Sequence, residues 1–263
     1  MFSKHIFCNR LVVGCLIGFM FWVGRGYSQT PAQSPRPVTD PELLQPDPGD
    51  WLMWRRTLNS WGYSPLKQID KSNAGRLQLA WTRGMGPGVQ EATPLVRDGV
   101  MFLPNPSDYI QALDAATGDL RWEYKRKLPD DLSKFLPVPS INRNLAGSRN
   151  IGSLFAISAE TGKTLWRYDQ RAGMMSVVAT GGGLLFAGDT NGRFRALDQD
   201  SGKILWETNL GAPVTGYPIT YSVRGKQYVA VSVGNALASS SLNRLAEELS
   251  PGNASNVFVF ALP

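Results

Sequence analysis

Residue types that carry nucleophilic, redox or soft-metal chemistry are scarce in this chain of 263 residues. The single histidine is His5, and the two cysteines are Cys8 and Cys15. Beyond residue 15 the sequence contains neither type. Zinc sites, cysteine nucleophiles, Ser-His-Asp triads and haem ligation by His or Cys are therefore excluded for the rest of the chain. A metal bound there must have oxygen ligands, which favours calcium-like ions.

The first 28 residues have the pattern of a secretory signal peptide. A basic start (Lys4, Arg10) precedes the apolar run 11–23. Small residues follow, and we expect cleavage after Ser28. The apolar run is short for a bilayer span, so a retained membrane anchor is the lesser interpretation. Cleavage would remove His5 and both cysteines, so the exported chain could form no disulfide.

The charge distribution does not favour nucleic acid as a partner. The net charge is +6, and the three basic residues of the leader account for half of it. The basic triplet 125–127 is followed by Pro129 and two acidic residues, which is typical of a solvated loop.

Two further segments follow the leader. Residues 29–50 include six prolines, a composition that predicts an extended linker. The folded domain is predicted to occupy residues 51–263.

A repeated phrase defines the elements that must position any site. The stretches ALDAATGDLRWEY, AISAETGKTLWRY and ALDQDSGKILWET each end near a tryptophan. Counting the earlier one in RLQLAWT, the four tryptophans are spaced 41, 44 and 40 residues apart. They are Trp81, Trp122, Trp166 and Trp206. This period, together with short strands separated by turn residues, predicts the four-stranded blades of an all-β propeller.

The phrase itself explains how blades could pack. Asp114 can accept hydrogen bonds from the amides of its own turn, and Gly118 can adopt the left-handed conformation of a bulged hairpin. The same turn is predicted at Gly162 and Gly202. We expect the tryptophan after each turn to lie between adjacent blades, where it buries a large apolar area.

The ends of the chain are predicted to share one blade. After Trp206 come three strand patterns with no further tryptophan phrase, whereas LQLAW (77–81) is a last strand without the preceding three. Pairing them would complete the last blade with the N-terminal strand. The count is then three to four blades, about three and a half, which predicts an incomplete or small ring.

One other motif, GDTNGR (188–193), has two interpretations. It is faintly similar to a calcium-binding loop, but Asn191-Gly192 is a strong hairpin signal, which favours a turn.

Taken together, the repeated phrases and their flanks resemble the pyrroloquinoline quinone (PQQ) dehydrogenases of the methanol/ethanol type. The resemblance covers nearly all of residues 50–263, although the family's central blades have no counterpart. The matching stretches are DWLMWRRTLNSWGYSPLKQI, GVQEATPLVRDGVMFLP, ALDAATGDLRWEYKRKLPDD, GSLFAISAETGKTLWRYDQ, ATGGGLLFAGDTNGRFRALDQDSGKILWETNLGAPVTGYPITY and GKQYVAVSVG.

The resemblance implies an eight-bladed ring in the family, with PQQ on its axis beside a calcium ion. It implies a periplasmic oxidoreductase that takes a small primary alcohol and passes electrons to a periplasmic acceptor. Glu91 matches a glutamate that contacts PQQ, and Gly234 and Asn235 follow the strand pattern YVAVSV, where the family's last axial loop approaches the cofactor. For Glu91 the alternative is a solvated strand-end carboxylate. The family's catalytic aspartate, calcium ligands and vicinal disulfide have no counterpart.

Two functions therefore remain open. One is an alcohol dehydrogenase of PQQ type, impaired or inactive in this short form. The other is a noncatalytic propeller that acts as a binding or scaffold module, or is a remnant. A third expectation, self-association through open sheet edges, is compatible with both.

Overall fold

The fold consists almost entirely of β-strands. The computed structural model describes residues 37–106, 109–125, 150, 152–158, 164–236, 246 and 248–263, so the predicted signal peptide lies outside the described residues. Among the residues described, no helix has the length and apolarity to cross a membrane. The helical elements are α1 (Asp40–Leu44) and a 3₁₀ turn (Ala74–Arg76). The strands are β1 (Tyr63–Ser64), β2 (Gln78–Gly84), β3 (Leu95–Arg97), β4 (Val100–Asn105), β5 (Tyr109–Asp114), β6 (Leu120–Lys125), β7 (Gly152–Ile157), β8 (Thr164–Gln170), β9 (Met174–Thr180), β10 (Leu184–Asp189), β11 (Arg193–Asp198), β12 (Ile204–Asn209), β13 (Ile219–Val223), β14 (Lys226–Val233) and β15 (Asn256–Ala261).

The strands form separate antiparallel blades. Blade 1 is β3-β4-β5-β6, blade 3 is β9-β10-β11-β12, and blade 4 is β13-β14-β15-β2. Blade 2 contributes β7-β8 within the described residues. The first strand of a blade is more buried than the last, as in the contrast between β13 and β2. First strands therefore line the inside. The prediction of an all-β, incomplete propeller is confirmed.

The predicted closure by the N-terminal strand is also confirmed. Strand β2 pairs with β15 along its length, with Trp81 opposite Val259 and Gln78 opposite Ala261. The last blade thus takes three strands from the C-terminal end and one from near the N-terminus. This pairing leaves β15 with a hydrogen-bonded neighbour on both sides, so blade 4 is a complete four-stranded sheet.

The turn of the repeated phrase has one conformation at both described copies. The Asp114 carboxylate accepts hydrogen bonds from the backbone amides two and three residues on, at 2.9 and 3.2 Å. Asp198 does the same at 2.7 and 3.0 Å. The glycines that follow, Gly118 and Gly202, have φ of 78° and 70°. Since this is the left-handed region, glycine is required there.

Tryptophan rings of one blade lie against these glycines of the next. A Cβ placed on Gly118 would be 2.6 Å from Cε3 of Trp81, and one on Gly202 would be 2.6 Å from Cε3 of Trp166. The indole of Trp81 also donates a hydrogen bond to the Ala115 carbonyl, at 3.3 Å. Blade 4 therefore packs on blade 1 and blade 2 packs on blade 3, each through a tryptophan and a turn.

The other two tryptophans differ from this pattern. Trp206 packs edge-on against Phe260 with ring centroids 5.1 Å apart, which joins blade 3 to blade 4. Trp122 is 46% exposed. Gly162, in the turn of the repeat that follows it, lies outside the described residues. The blades therefore follow the spatial order 2-3-4-1.

Part of the predicted linker is packed against the sheets. Residues 40–44 form helix α1, whose Glu42 pairs with the buried guanidinium of Arg97 in β3 at 2.8 Å. Further on, the buried Arg56 donates to the carbonyl of Asp47 at 3.1 Å. Through these contacts the segment packs against the rest of the fold, whereas its proline content alone predicted an extended chain.

Residues 49–64, here called the inner segment, run along the first strands of three blades. The Gly49 carbonyl accepts from the amide of Ser222 in β13, at 3.1 Å. Trp51 forms a bridge with Val96 in β3, and β1 pairs in parallel with β9. The inner segment therefore occupies the inside of the arc that the blades describe.

We predict that Gly118→Ala destabilises the fold far more than Gly225→Ala. Both glycines have positive φ, 78° and 76°, so both substitutions carry the same backbone cost. Only Gly118 faces a ring, whereas a Cβ on Gly225 meets nothing within 4 Å. The added clash should cost about 1–3 kcal/mol more, the usual range for overpacking. Urea unfolding of the two variants measures this difference, and equal losses would contradict tryptophan docking.

Candidate functional site

Two segments predicted to hold a ligand come together in the structure. Val89 forms a parallel bridge with Asn235, and the amide of Gln90 donates to the Asn235 carbonyl at 2.8 Å. Glu91 follows directly and is exposed. Residues more than 140 positions apart in the sequence thus form one surface feature.

A third segment completes the feature. The amide of Gly234 donates to the Pro213 carbonyl at 2.9 Å, and Val214 bridges Val233. The amide of Gly216 donates to the Ser232 carbonyl at 3.1 Å. We call residues 88–94, 213–216 and 232–235 the loop junction.

Two glycines permit the close approach of these backbones. A Cβ on Gly216 would lie 2.8 Å from the Cβ of Ser232 and 3.1 Å from the Ala92 carbonyl oxygen. A Cβ on Gly234 would lie 2.9 Å from the Cβ of Gln90. Such distances leave no room for a side chain, so both positions require glycine for steric reasons.

The loop junction contains buried polar groups that the fold leaves unpaired. Within the described part of the chain, four side-chain atoms of this feature are buried without a hydrogen-bond partner. They are Gln90 Nε2, Thr93 Oγ1, Thr215 Oγ1 and Ser232 Oγ. A buried polar group without a partner costs free energy, and such groups in a native fold call for a bound water, ion or ligand. The amide is a donor and each hydroxyl can donate as well as accept, so the set suits a ligand rich in acceptors.

Sequence reasoning did not single out these four residues. It selected Glu91 through the family match, whereas the neighbouring Gln90 is the buried side chain. Alternation along an extended segment could have shown that one of the two points inward, since adjacent residues face opposite sides. It could not have shown which one.

A buried ion pair supports the loop junction from blade 3. Arg195 donates to the Asp189 carboxylate at 2.8 Å and to Glu207 at 2.6 Å, and both Arg195 and Asp189 are buried. Burial opposes the charge on the guanidinium, but the hydrogen bond and the charge of Asp189 outweigh it and raise the pKa of Arg195. The Asp189 carbonyl in turn accepts from the amide of Val214 at 3.0 Å. The ion pair therefore anchors one of the three loops.

The hydrogen bonds of Asp189 distinguish between a calcium-binding loop and a hairpin turn at residues 188–193. Its carboxylate accepts from the amides of Asn191 and Arg193 at 2.8 and 3.0 Å, and Gly192 has φ of 81°. The oxygens of Asp189 are thus engaged in closing a hairpin turn, as the sequence favoured.

The structure offers no carboxylate cluster for calcium. Throughout residues 37–106, 109–125, 164–236 and the other described positions, no group of three or more His, Cys, Asp or Glu side chains could hold a metal ion. The described residues therefore provide no cluster of carboxylates for the calcium ion that the resemblance implied.

Comparisons with known proteins agree with the resemblance. The family model "Glucose/ethanol/alcohol dehydrogenase, beta-propeller domain" of the PQQ type matches residues 51–137 and 170–229, more than half of the chain. The dehydrogenase subunit of a quinone-dependent alcohol dehydrogenase from Gluconacetobacter polyoxogenes is 32% identical over 194 residues. That match covers 72% of this chain and 22% of the relative.

Two further proteins extend the comparison. A quinoprotein ethanol dehydrogenase from Pseudomonas aeruginosa is 30% identical over 183 residues, which are 60% of this chain and 29% of that protein. The chain therefore spans less than a third of the length of these curated relatives. The solved structure of quinohemoprotein alcohol dehydrogenase ADHIIG from Pseudomonas putida HK5 has a TM-score of 0.60 at 14% identity. It covers 86% of this chain and 82% of that one, a likeness of fold.

We predict that Arg195→Met lowers the free energy of unfolding by about 3–5 kcal/mol, because it leaves the buried Asp189 carboxylate without its charge partner. Arg193→Met is the matched control. Its exposed guanidinium also pairs with Glu207, so its loss should cost less than about 1 kcal/mol. Chemical denaturation followed by tryptophan fluorescence tests the pair. Similar losses would show that the buried ion pair does not support the fold.

Proposed function

The chain belongs to the PQQ family of glucose/ethanol/alcohol dehydrogenase β-propeller domains, and from this premise we propose that its loop junction binds PQQ. We further propose that the chain is of alcohol-oxidoreductase type, with its own oxidation of alcohols impaired or absent.

The unpaired buried groups at the loop junction are the observation that carries the proposal. PQQ presents carboxylate and quinone oxygens, all of which accept hydrogen bonds. Gln90 Nε2 and the hydroxyls of Thr93, Thr215 and Ser232 lack protein partners. In this proposal Gln90, Glu91, Gly234 and Asn235 hold and orient the cofactor from two loops, and the hydroxyls line the wall behind them. When bound, PQQ supplies an electron-accepting quinone.

Impaired chemistry follows from what the described residues do not provide. Alcohol oxidation needs a group that takes a proton, and the metal that polarises the quinone in the family needs carboxylate ligands. The described residues contain no acidic cluster for such a metal. Glu91 directly follows Val89 and Gln90, the residues that contact Asn235. Its carboxylate is exposed and is not held beside a second acidic side chain. We therefore do not include calcium in the proposal.

Binding of PQQ to the purified chain tests the proposal directly. We expect saturable binding in equilibrium dialysis without added calcium. Gln90→Leu should weaken it by about tenfold or more, since a hydrogen bond to a charged group contributes about 1.5–3 kcal/mol. Glu91→Ala should weaken binding too, because the resemblance places this carboxylate against the cofactor. Gln78→Leu, an exposed glutamine on β2, should leave the affinity unchanged.

PQQ binding and alcohol-dependent dye reduction, measured on the same purified chain, distinguish between the remaining functions. Binding of PQQ without alcohol-dependent reduction of a dye supports the proposal. Sustained dye reduction with ethanol would refute the impairment but not the binding site. Absence of binding would refute the site and leave the noncatalytic scaffold or remnant as the interpretation.

We also propose export to the periplasm, on the basis of the leader pattern in residues 1–28. Expression in a Gram-negative host should yield a periplasmic chain whose N-terminal residue is Gln29. Recovery of the unprocessed chain from the membrane fraction would instead indicate a retained anchor.

A further inference from the structure

Where two blades pack against each other, side chains of one blade cover the face of the other. Trp81 of blade 4 lies on the Gly118 turn of blade 1, and Arg83 beside it donates to Gln111 of blade 1 at 3.2 Å. At the other end, Trp166 of blade 2 donates to the Gln199 carbonyl of blade 3 at 2.9 Å. Each face that is packed meets the strands and the turn of another blade.

Among the blades that the structure describes, the order 2-3-4-1 leaves one face of blade 1 without a neighbouring blade. Gln111 points toward blade 4, so residues at alternate positions on β5 and β6 point away from it. They are apolar and exposed: Trp122 is 46% and Tyr124 is 62% exposed, and Ile110 is exposed beside them. Phe102 extends the same surface, with its ring 6.1 Å from that of Trp122. We call this surface end face 1.

Blade 2 has the complementary uncovered face. Along β8, Trp166 and Tyr168 point toward blade 3, where Tyr168 lies 5.7 Å from the guanidinium of Arg195. The alternate residue Arg167 points away, and Leu165, in the bulge between Thr164 and Trp166, is 67% exposed. Phe155 of β7 is 46% exposed beneath Arg167, at 5.0 Å. We call this surface end face 2.

The chain itself offers too little sequence to cover both end faces with further blades. The connection between β6 and β7, residues 126–151, is shorter than one repeat of 40–44 residues. A direct contact of end face 1 with end face 2 of the same chain would make a ring of four blades, the smallest in the propeller series. The inner segment already fills the inside of the arc, with Trp51 and β1 paired to first strands. A four-bladed ring has the narrowest channel and leaves least room for such a segment.

We propose that a second copy of this chain closes the ring. End face 1 of each copy packs on end face 2 of the other, so that two arcs of about four blades make a ring of about eight, within the range that propellers adopt. The two contacts are identical and related by a two-fold axis along the channel, which is a closed symmetry. Exposed apolar surface of this extent on a folded domain marks an interaction site. The interface consists of blade faces, not of the strand edges expected from the sequence.

Ring closure has a consequence for the loop junction. Each arc carries one loop junction near its first strands, and the second arc would supply the opposite wall of the channel. The proposal does not depend on PQQ binding, because it concerns the end faces alone.

Light scattering coupled to size-exclusion chromatography of the purified chain tests the assembly. We expect twice the monomer mass at micromolar concentration. Trp122→Ser combined with Tyr124→Ser should raise the dissociation constant by about 30-fold or more, the effect of removing central aromatic contacts from an interface. Phe155→Ser on end face 2 should also weaken the dimer. Leu44→Ser, a 65% exposed leucine on helix α1, is the matched control and should not.

Mixing the variants separates this arrangement from other dimers. A mixed dimer of the end face 1 variant and the end face 2 variant has one interface with both substitutions and one with neither. Each variant homodimer has a substitution in both interfaces, whereas the mixed dimer keeps one interface intact. At a concentration at which neither variant dimerises alone, the equimolar mixture should therefore form dimers. A dimer in which end face 1 meets end face 1 would show no such rescue. That result, or a wild-type chain that stays monomeric with an unchanged far-ultraviolet circular dichroism spectrum, would overturn the proposal.

Discussion

The contact between a tryptophan ring and a glycine turn is the constraint on which the arc of blades depends. A ring lies flat on a turn only where that turn has no side chain, and Gly118 and Gly202 meet this condition with positive φ. The preceding aspartate fixes the turn by accepting its amides, so turn and ring form one unit. Because each unit joins two blades, the stability of one sheet is linked to that of its neighbour. Blade 4 combines β2 with the three C-terminal strands, so the contact of Trp81 with the Gly118 turn also links blade 1 to the C-terminal part of the chain.

The loop junction is a product of this stacking. The loops that enter the first strands of blades 1 and 4 and the loop that leaves the second strand of blade 4 lie together, where they exchange backbone hydrogen bonds. Polar side chains at Gln90, Thr93, Thr215 and Ser232 are enclosed by these exchanges without gaining partners. A fold that packs its backbone tightly around unpaired donors is prepared for an acceptor from outside. The buried pair of Arg195 and Asp189 holds one of the loops in place, which limits how far the feature can relax.

Membership of the PQQ family establishes ancestry and architecture, but function resides in the site. The chain keeps the blades that surround the loop junction, and it spans less than a third of the relatives' length. At the loop junction the described residues provide unpaired neutral polar groups and one exposed carboxylate, Glu91. End face 1 and end face 2 are the exposed apolar faces at the two ends of the described arc of blades.

The sequence by itself determined the blades, the turn and the pairing of β2 with β15. Each of these depends on local signals: strand alternation, an aspartate and a glycine at fixed offsets, and a tryptophan after the turn. Only the tertiary structure showed that Gln90, not Glu91, is the buried residue of the loop junction, and that Trp122 lies on an open face. It also placed residues 40–50 against the sheets, although their prolines had suggested a tether. The physical reason is that periodicity records which side of a strand is apolar. Which loop or blade faces that side depends on contacts between residues far apart in the chain.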